Sequence, residues 1–385
     1  MTTYLNYVRG IVEYVRTYGD LGLIELTKKF DGVLIKDVVV SLEELSNLSE
    51  SLHHEVRSSI DLIYEHLITL NKQSLPKDLM VRVGGLSSGI IWKPLSSVGI
   101  YVPGGRKAYP STLLMAAVPA KVAGVKKLYV AAPPRKDGSV DPAIAYLALK
   151  LDVRKVYRVG GAQIIAAMAY GTESVDKVDK IVGPGNIYVQ VAKFLLQGIV
   201  SIDGIEGPTE LVVVADETAN PDEVCVDMEA QAEHGTTSVI ALLTTYDPLL
   251  NYVEKCLEGG PNTYFLIKVD SLEHAIEVVN ELAPEHLSLR VRDPYTLISR
   301  VENVGAISVG RTPSALIDYL GPNHILPTNA SARFRGGLSV YDFLKAIIIA
   351  DGSPTKELLR AVRVLASYEG FPIHGRSVEI TYGRT

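Results

Sequence analysis

Four short stretches of this 385-residue chain set an imidazole near a carboxylate or an amide. The first is Ala283-Pro284-Glu285-His286-Leu287, just ahead of an apolar run. Adjacent side chains on an extended chain point to opposite sides, so Glu285 and His286 have different tasks. Histidine titrates near neutrality and suits the removal of an alcohol proton, and a neighbouring carboxylate suits the activation of water. A second reading is equally open: a Pro-led turn with a solvated Glu and a structural His. The placement is also unusual for a site, because ligands of doubly wound sheets bind past the carboxyl ends of strands and this motif precedes one.

The second stretch ends a helix. Asn220-Pro221-Asp222-Glu223 offers an Asn cap, Pro at the first helical position and Glu three residues after the cap. Val224, Met228 and Ala232 recur every four residues and are expected to face the core, and Gly235 is a natural stop. Gln231 and His234, three apart, project from neighbouring points of one face, where an amide oxygen and an imidazole nitrogen suit one metal ion. As a pair alone they read as readily as a polar cap. The third stretch, Asp318-Tyr319-Leu320-Gly321-Pro322-Asn323-His324, puts an acid and a histidine on a turn after a short helix. The fourth, Glu369-Gly370-Phe371-Pro372-Ile373-His374, lies near the end and matters only as a ligand to a site assembled elsewhere. His53, His54, His66 and His274 lie on polar or amphipathic helical faces and are expected to be solvated or structural. The two-His zinc-protease pattern is absent from the sequence.

Three glycine turns follow three apolar runs: Tyr101-Val102-Pro103-Gly104-Gly105, Gly160-Gly161-Ala162-Gln163 and Gly183-Pro184-Gly185-Asn186-Ile187-Tyr188. The last keeps two glycines of the dinucleotide fingerprint and has Tyr at the third position, a weak match. Together, after strands of one sheet, they make a dinucleotide cleft; singly, each is a tight turn.

The elements that must position these residues show in the periodicity. The first ninety or so residues are mostly helical in pattern, with Val8, Ile11, Val12 and Val15 and then Val56, Ile60, Ile63 and Leu67 at helical spacing. Short runs rich in Val, Ile and Tyr follow: 98–102, 128–131, 156–159 and 181–182, then 211–214, 239–243, 265–269, 287–291 and 306–309. Helical stretches such as 112–122, 142–149 and 272–282 fall between them, which reads as parallel α/β sheet. The spacing predicts an N-terminal helical segment over 1–95, one α/β domain over 96–205 and a second over 206–330, joined near 204–208. A C-terminal tail over 331–385 is expected to be helical through 340–368.

Composition bounds the rest. Apolar residues make up 47% and charged residues 21%, the balance of a soluble globular chain. A net charge of −6 argues against nucleic acid as partner. No apolar run reaches membrane-spanning length, and the first residues lack a secretory pattern. Cys225 and Cys256 are read as small buried hydrophobes and not as a disulfide, in keeping with a reducing cytoplasm.

The glycine turns, joined in order by Gly207-Pro208-Thr209-Glu210, Gln231-Ala232-Glu233-His234-Gly235, Ala283-Pro284-Glu285-His286-Leu287 and Asp318-Tyr319 with Gly321-Pro322-Asn323-His324-Ile325-Leu326-Pro327-Thr328, closely resemble the histidinol dehydrogenase family. The resemblance covers nearly the whole chain, from Gly19-Asp20 and Phe30-Asp31-Gly32-Val33 onward, with Thr209 where the family often has Ser. It implies two Rossmann-like, aldehyde-dehydrogenase-like α/β/α domains. It implies oxidation of L-histidinol to L-histidine through L-histidinal with two NAD, at the last step of histidine biosynthesis. By position, zinc ligands would be Gln231, His234, Asp318 and His374; these and Thr209, His286 and Glu369 would contact substrate. Tyr101, Gln163 and Asn186 would contact NAD, and Glu285 and His286 would be catalytic. The family also implies a homodimer in which the C-terminal tail, with Glu369 and His374, reaches the partner's site. Rival readings are a zinc dehydrogenase of another small alcohol such as sulfopropanediol, a zinc hydrolase using Glu285, and an idle binding protein on the same scaffold.

Overall fold

The structure is a computed structural model describing residues 2–104, 108–260 and 263–383. Gly105 of the first glycine turn lies outside the described residues. The chain opens with α1 (Thr2–Asp31), α2 (Leu42–Glu50) and α3 (His54–Gln73), then β1 (Leu79–Val83) and β2 (Leu86–Pro94). A first strand–helix alternation follows: β3 (Ser97–Tyr101), α4 (Pro110–Ala123), β4 (Lys127–Ala131), α5 (Pro142–Lys150), β5 (Lys155–Tyr157), α6 (Gly161–Tyr170), β6 (Lys180–Val182), α7 (Ile187–Leu196) and β7 (Ser201–Ile202). The second comprises β8 (Glu210–Ala215), α8 (Pro221–Ala232), β9 (Val239–Thr244), α9 (Asp247–Leu257), β10 (Tyr264–Lys268), α10 (Leu272–Leu282), β11 (His286–Arg290), α11 (Pro294–Ile298) and β12 (Ala306–Val309). After it come α12 (Ala315–Leu320), β13 (Leu344–Gly352), α13 (Lys356–Tyr368) and α14 (Pro372–Tyr382).

Two compact units result, Met1–Ser74 with Leu95–Phe343, and Leu75–Pro94 with Leu344–Thr385. The larger holds two five-stranded parallel sheets in the orders β5-β4-β3-β6-β7 and β10-β9-β8-β11-β12. Numbered within each sheet, both orders are 3-2-1-4-5, the doubly wound pattern, so each sheet has a switch point where the order reverses. Strands buried on both faces read as continuous apolar runs, and β3 and β11 are buried at every residue. Helices α4 and α6 are apolar nearly all round and almost wholly buried, as helices packed on both sides must be. The Asn220, Asp141 and Asn186 side chains cap α8, α5 and α7 by accepting backbone N–H groups. Val224 and Met228 face the core as their spacing requires, whereas Ala232, at the helix end, is half-buried.

Helix α1 packs on α6 and α7 and breaks at Gly19, whose φ of 53° is left-handed. The break has partners: Glu173 accepts the Asp20 backbone N–H at 2.8 Å, and Asp20 accepts from the Thr172 hydroxyl at 2.5 Å. The positive φ favours glycine there, and a Cβ would also displace the Glu173 carboxylate from its bond to Asp20.

The smaller unit departs from the expected helical pattern. It is an antiparallel sheet, β1-β2-β13, with α13 packed on α14. Residues 344–352, expected as helix, form a strand: the β-branched Ile347-Ile348-Ile349 run favours extended chain, and β2 offers nine consecutive partners. Short β7, unseen in the sequence pattern, completes the first sheet beside β6.

The cysteines also require correction. Cys225 on α8 and Cys256 on α9 are disulfide-bonded, with Cα atoms 6.5 Å apart. Residues far apart in sequence meet because α8 and α9 cover the same face of the second sheet, sharing one apolar cluster with β8 and β9. The bridge closes a separation of 31 residues, for which loop-closure entropy gives about 2–4 kcal/mol. Replacing both cysteines with serine is expected to lower the unfolding free energy of the larger unit by that amount in denaturant titrations, and reductant to lower that of the native protein alike. Identical unfolding curves with and without reductant would contradict it.

Candidate active site

The carboxyl edge of the first sheet and the amino edge of the second carry the residues of interest. On the first sheet, Tyr101 ends β3, Gly161 to Gln163 open α6 after β5, and Gly183 to Asn186 follow β6. Strands β3 and β6 are neighbours at the switch point. Here lies a cavity of about 1170 Å³ whose lining includes Tyr101, Gln163 and Asn186, the three expected cofactor contacts. The Tyr101 hydroxyl accepts the Gly161 backbone N–H at 3.2 Å, and burial pushes its pKa up to about 12, so it stays a neutral phenol. Gly183, at φ 118°, passes so close to β3 that a Cβ would stand 2.1 Å from the Tyr101 carbonyl oxygen. The wall has further members: Tyr7 and Phe30 from α1, and Tyr188, the third position of the glycine fingerprint, from α7. Tyr7 and Tyr188 meet edge to face at 5.8 Å. A cleft of this size, with glycine turns and aromatic faces at a switch point, fits a dinucleotide.

On the second sheet, His286 is the first residue of β11 and Thr209 immediately precedes β8, its neighbour. Helix α8 runs back against its strands, so its carboxyl end, with Gln231 and His234, arrives at the same edge. The Thr209 hydroxyl donates to Glu285 Oε2 at 2.5 Å, and the Glu210 backbone N–H donates to the same oxygen at 3.1 Å. With its proton committed to Glu285, Thr209 Oγ1 accepts from Gln231 Nε2. The Gln231 amide oxygen is thereby left as its acceptor end, as a metal ligand requires. His286 Nε2 lies 3.5 Å from Asp318 Oδ1, and its Nδ1 is buried with no hydrogen-bond partner. An orphaned buried nitrogen in such a cluster is the kind of atom a bound molecule satisfies.

Electrostatics separates the groups. Burial drives the Glu285 carboxyl up to about 8, partly offset by the Thr209 and Glu210 hydrogen bonds. Burial, with the neighbouring His234 adding to the effect, drives His286 down to about 4, so its imidazole is neutral at pH 7. Burial raises Asp318 to about 6, with Asp227 adding to the effect. His234 keeps an accessible surface, yet the surrounding protein lowers its pKa, which favours the neutral, ligand-competent imidazole. His324, quoted in the sequence without a role, is held by a 2.7 Å contact from Nδ1 to the Asp318 carbonyl and is lowered by burial to about 4. Its signal was its place six residues after Asp318 on a Gly-Pro-Asn turn.

The larger unit thus brings together Thr209, Gln231, Glu285, His286 and Asp318, with His234 near enough to His286 to shift it. Glu369 caps α13 and His374 lies on α14 of the smaller unit, both exposed. Among the described residues, no three His, Cys, Asp or Glu side chains cluster at metal-binding spacing. One amide oxygen, one imidazole and one carboxylate remain as a mixed N/O donor set within the larger unit, which suits zinc with positions left open.

The sequence profile of histidinol dehydrogenases matches residues 1–382. The chain belongs to the histidinol dehydrogenase family. It is 52% identical to the histidinol dehydrogenase of Saccharolobus solfataricus, over 97% of this chain and 95% of that one. Its fold superposes on the crystal structure of histidinol dehydrogenase from Elizabethkingia anophelis with a TM-score of 0.94 at 32% identity, covering 98% of this chain and 92% of the other. An acetylating aldehyde dehydrogenase from Geobacillus thermoglucosidasius shares the fold alone, with a TM-score of 0.52 at 12% identity over 92% of this chain and 98% of that one. The chain is therefore an oxidoreductase of histidine biosynthesis on an aldehyde-dehydrogenase-like scaffold.

The raised Glu285 pKa has a consequence for stability. Folding moves it from about 4.5 to about 8, so the folded chain holds a proton that the unfolded chain releases across that window. Stability is lost as pH rises through it, by about 1.4 kcal/mol per unit at most. In metal-free protein, Glu285→Gln should remove this loss, so that the variant gains on the wild type between pH 5 and pH 9 in denaturant titrations. Parallel pH profiles would mean that Glu285 is ionised throughout.

Proposed function

We propose that the protein oxidises L-histidinol to L-histidine through L-histidinal, with two NAD used in succession and one zinc ion per subunit, as a cytoplasmic homodimer with shared active sites. The observation that carries this reading is the hydrogen-bonded chain Gln231–Thr209–Glu285 beside the His286–Asp318 pair, on a chain whose other sheet holds a dinucleotide-sized cleft. Gln231, His234 and Asp318 would hold zinc, completed by His374 of the partner subunit, with Glu369 of the partner subunit against the substrate. The exposed apolar surface of the smaller unit, including Ile348 at 83% and Tyr368 at 89%, supports burial against a second copy. The net charge and the absence, among the described residues, of a helix long and apolar enough to cross a membrane fit a small-molecule enzyme.

Held by Gln231, His234 and Asp318, zinc would supply a fixed anchor for the substrate, and NAD bound in the cleft would supply the hydride acceptor. His286, neutral at working pH, takes the hydroxyl proton as the carbinol hydrogen leaves as hydride. The aldehyde is then hydrated: Glu285 in its ionised form draws a proton from water as the oxygen attacks the carbonyl. His286, having passed its first proton to the aldehyde oxygen as the hydrate forms, takes a proton from the hydrate during the second hydride loss, which gives the carboxylic acid that then ionises. Thr209 orients Glu285 through its hydroxyl and stands between it and Gln231.

NADH formation from L-histidinol tests the reading. Two NADH per substrate, lost on chelation and restored by zinc, are expected. Activity on another alcohol but none on histidinol would move the protein to a different substrate. His286→Asn should slow both oxidations by about 10²–10⁴-fold. Glu285→Gln should impair mainly oxidation of supplied histidinal; a variant losing only alcohol oxidation would reverse the assignment.

A further inference from the structure

A carboxylate outside the reacting set connects the segments that carry it. Asp227 lies on α8, one helical turn before Gln231, and is 3% exposed. Its Oδ2 accepts from Ser288 Oγ at 3.1 Å and from Arg290 Nη2 at 2.9 Å, both on β11. Its Oδ1 accepts the Ser314 backbone N–H at 2.9 Å, and the Ser314 hydroxyl reaches Oδ2 at 3.4 Å. Ser288 stands two residues after His286 and therefore on the same face of the strand. Ser314 is the residue that leads into α12, four before Asp318. One buried carboxylate is thus bonded to the helix of Gln231, the strand of His286 and the segment of Asp318.

We infer that Asp227 is a positioning residue for the zinc site, fixing the relative placement of Gln231, His286 and Asp318 without touching metal or substrate. The inference rests on the zinc reading above. A purely structural ion pair with Arg290 would explain the 2.9 Å contact, but not the bonds from Ser288 and from both groups of Ser314. Bonds that orient the segments bearing metal ligands are worth about 10–100-fold in metal affinity.

The test measures zinc affinity by competition with a chelator, on zinc-free protein refilled to one equivalent. Wild type, Asp227→Asn and the double variant Asp227→Leu/Arg290→Met are compared, with the zinc-free melting temperature of each. The double variant removes the pair without leaving a buried unpaired guanidinium, an exchange that is often neutral for folding. Ten- to hundredfold weaker zinc in both, with the double variant melting near the wild type, is the expected result. Unchanged affinity in either folded variant would overturn the positioning role, and unfolding of both would assign Asp227 to the fold alone. His234→Ala is the control on the ligand reading. If wild type takes up no zinc, or His234→Ala holds it as tightly, the zinc site itself fails and the positioning role with it.

Discussion

In a parallel sheet every crossover helix runs against its strands, so the end of a helix meets the beginnings of the strands beside it. Helix α8 obeys this rule, and its last turn arrives where β8 and β11 start. A helix-end amide, a pre-strand hydroxyl and a first-strand imidazole are thereby neighbours although Thr209, Gln231 and His286 are far apart in the chain. The Gln231–Thr209–Glu285 hydrogen bonds are the local expression of that constraint. The first sheet obeys it too but uses the opposite edge, where glycine turns leave β3, β5 and β6. Two copies of one topology therefore present different edges, with a dinucleotide-sized cleft at carboxyl ends and the Thr209, Gln231, Glu285 and His286 cluster at amino ends.

Burial sets the chemistry of the second edge. The same desolvation raises Glu285 and lowers His286, because it penalises whichever form is charged. Two neighbours in sequence thus become an acid that resists ionising and an imidazole that resists protonation. The neutral imidazole has its acceptor nitrogen free, whereas Glu285 must lose a proton before it can act as a base. Opposite shifts on adjacent groups are the pattern by which one site holds two acid–base roles.

Strand and helix positions were legible because β-branched runs and capped helices repeat in a strict alternation: 287–291 and 306–309 meet β11 and β12 within a residue or two. The doubt raised by Glu285-His286 preceding a strand was well founded as geometry, since the pair does lie at an amino edge. What single stretches could not show was convergence. Gln231 with His234 reads as a helix cap until Thr209 and Asp318 are brought beside it, and only tertiary structure does that. The β1-β2-β13 sheet was obscured because β13 lies far in sequence from the β1-β2 hairpin and the strands carry little buried apolar alternation: β1 is exposed throughout. The disulfide was illegible for a similar reason, as a separation of 31 residues carries no information on which faces of α8 and α9 meet.

Each parallel sheet also holds a deeply buried ion pair. Lys193 and Asp203, 0% and 1% exposed in their side chains, meet at 2.6 Å. Lys193 donates to the Gly183 carbonyl at 2.5 Å, and Asp203 accepts the Gly183 N–H at 2.6 Å, so the pair grips both sides of the glycine that closes against Tyr101. On the second sheet Asp227 and Arg290 are as deeply buried and tie α8 to the last residue of β11. Buried pairs are poor sources of stability, because desolvation consumes most of the Coulombic gain. They do resist displacement, since moving one partner strands the other charge in a dry interior. A turn or helix end held by such a pair is fixed more firmly than one held by apolar packing, which slides at little cost. The Lys193–Asp203 pair holds the glycine turn beside the cleft, where a displacement of about 1 Å would matter to the alignment of a bound molecule, and that argues for placement, not stability, as the reason for burying charge there.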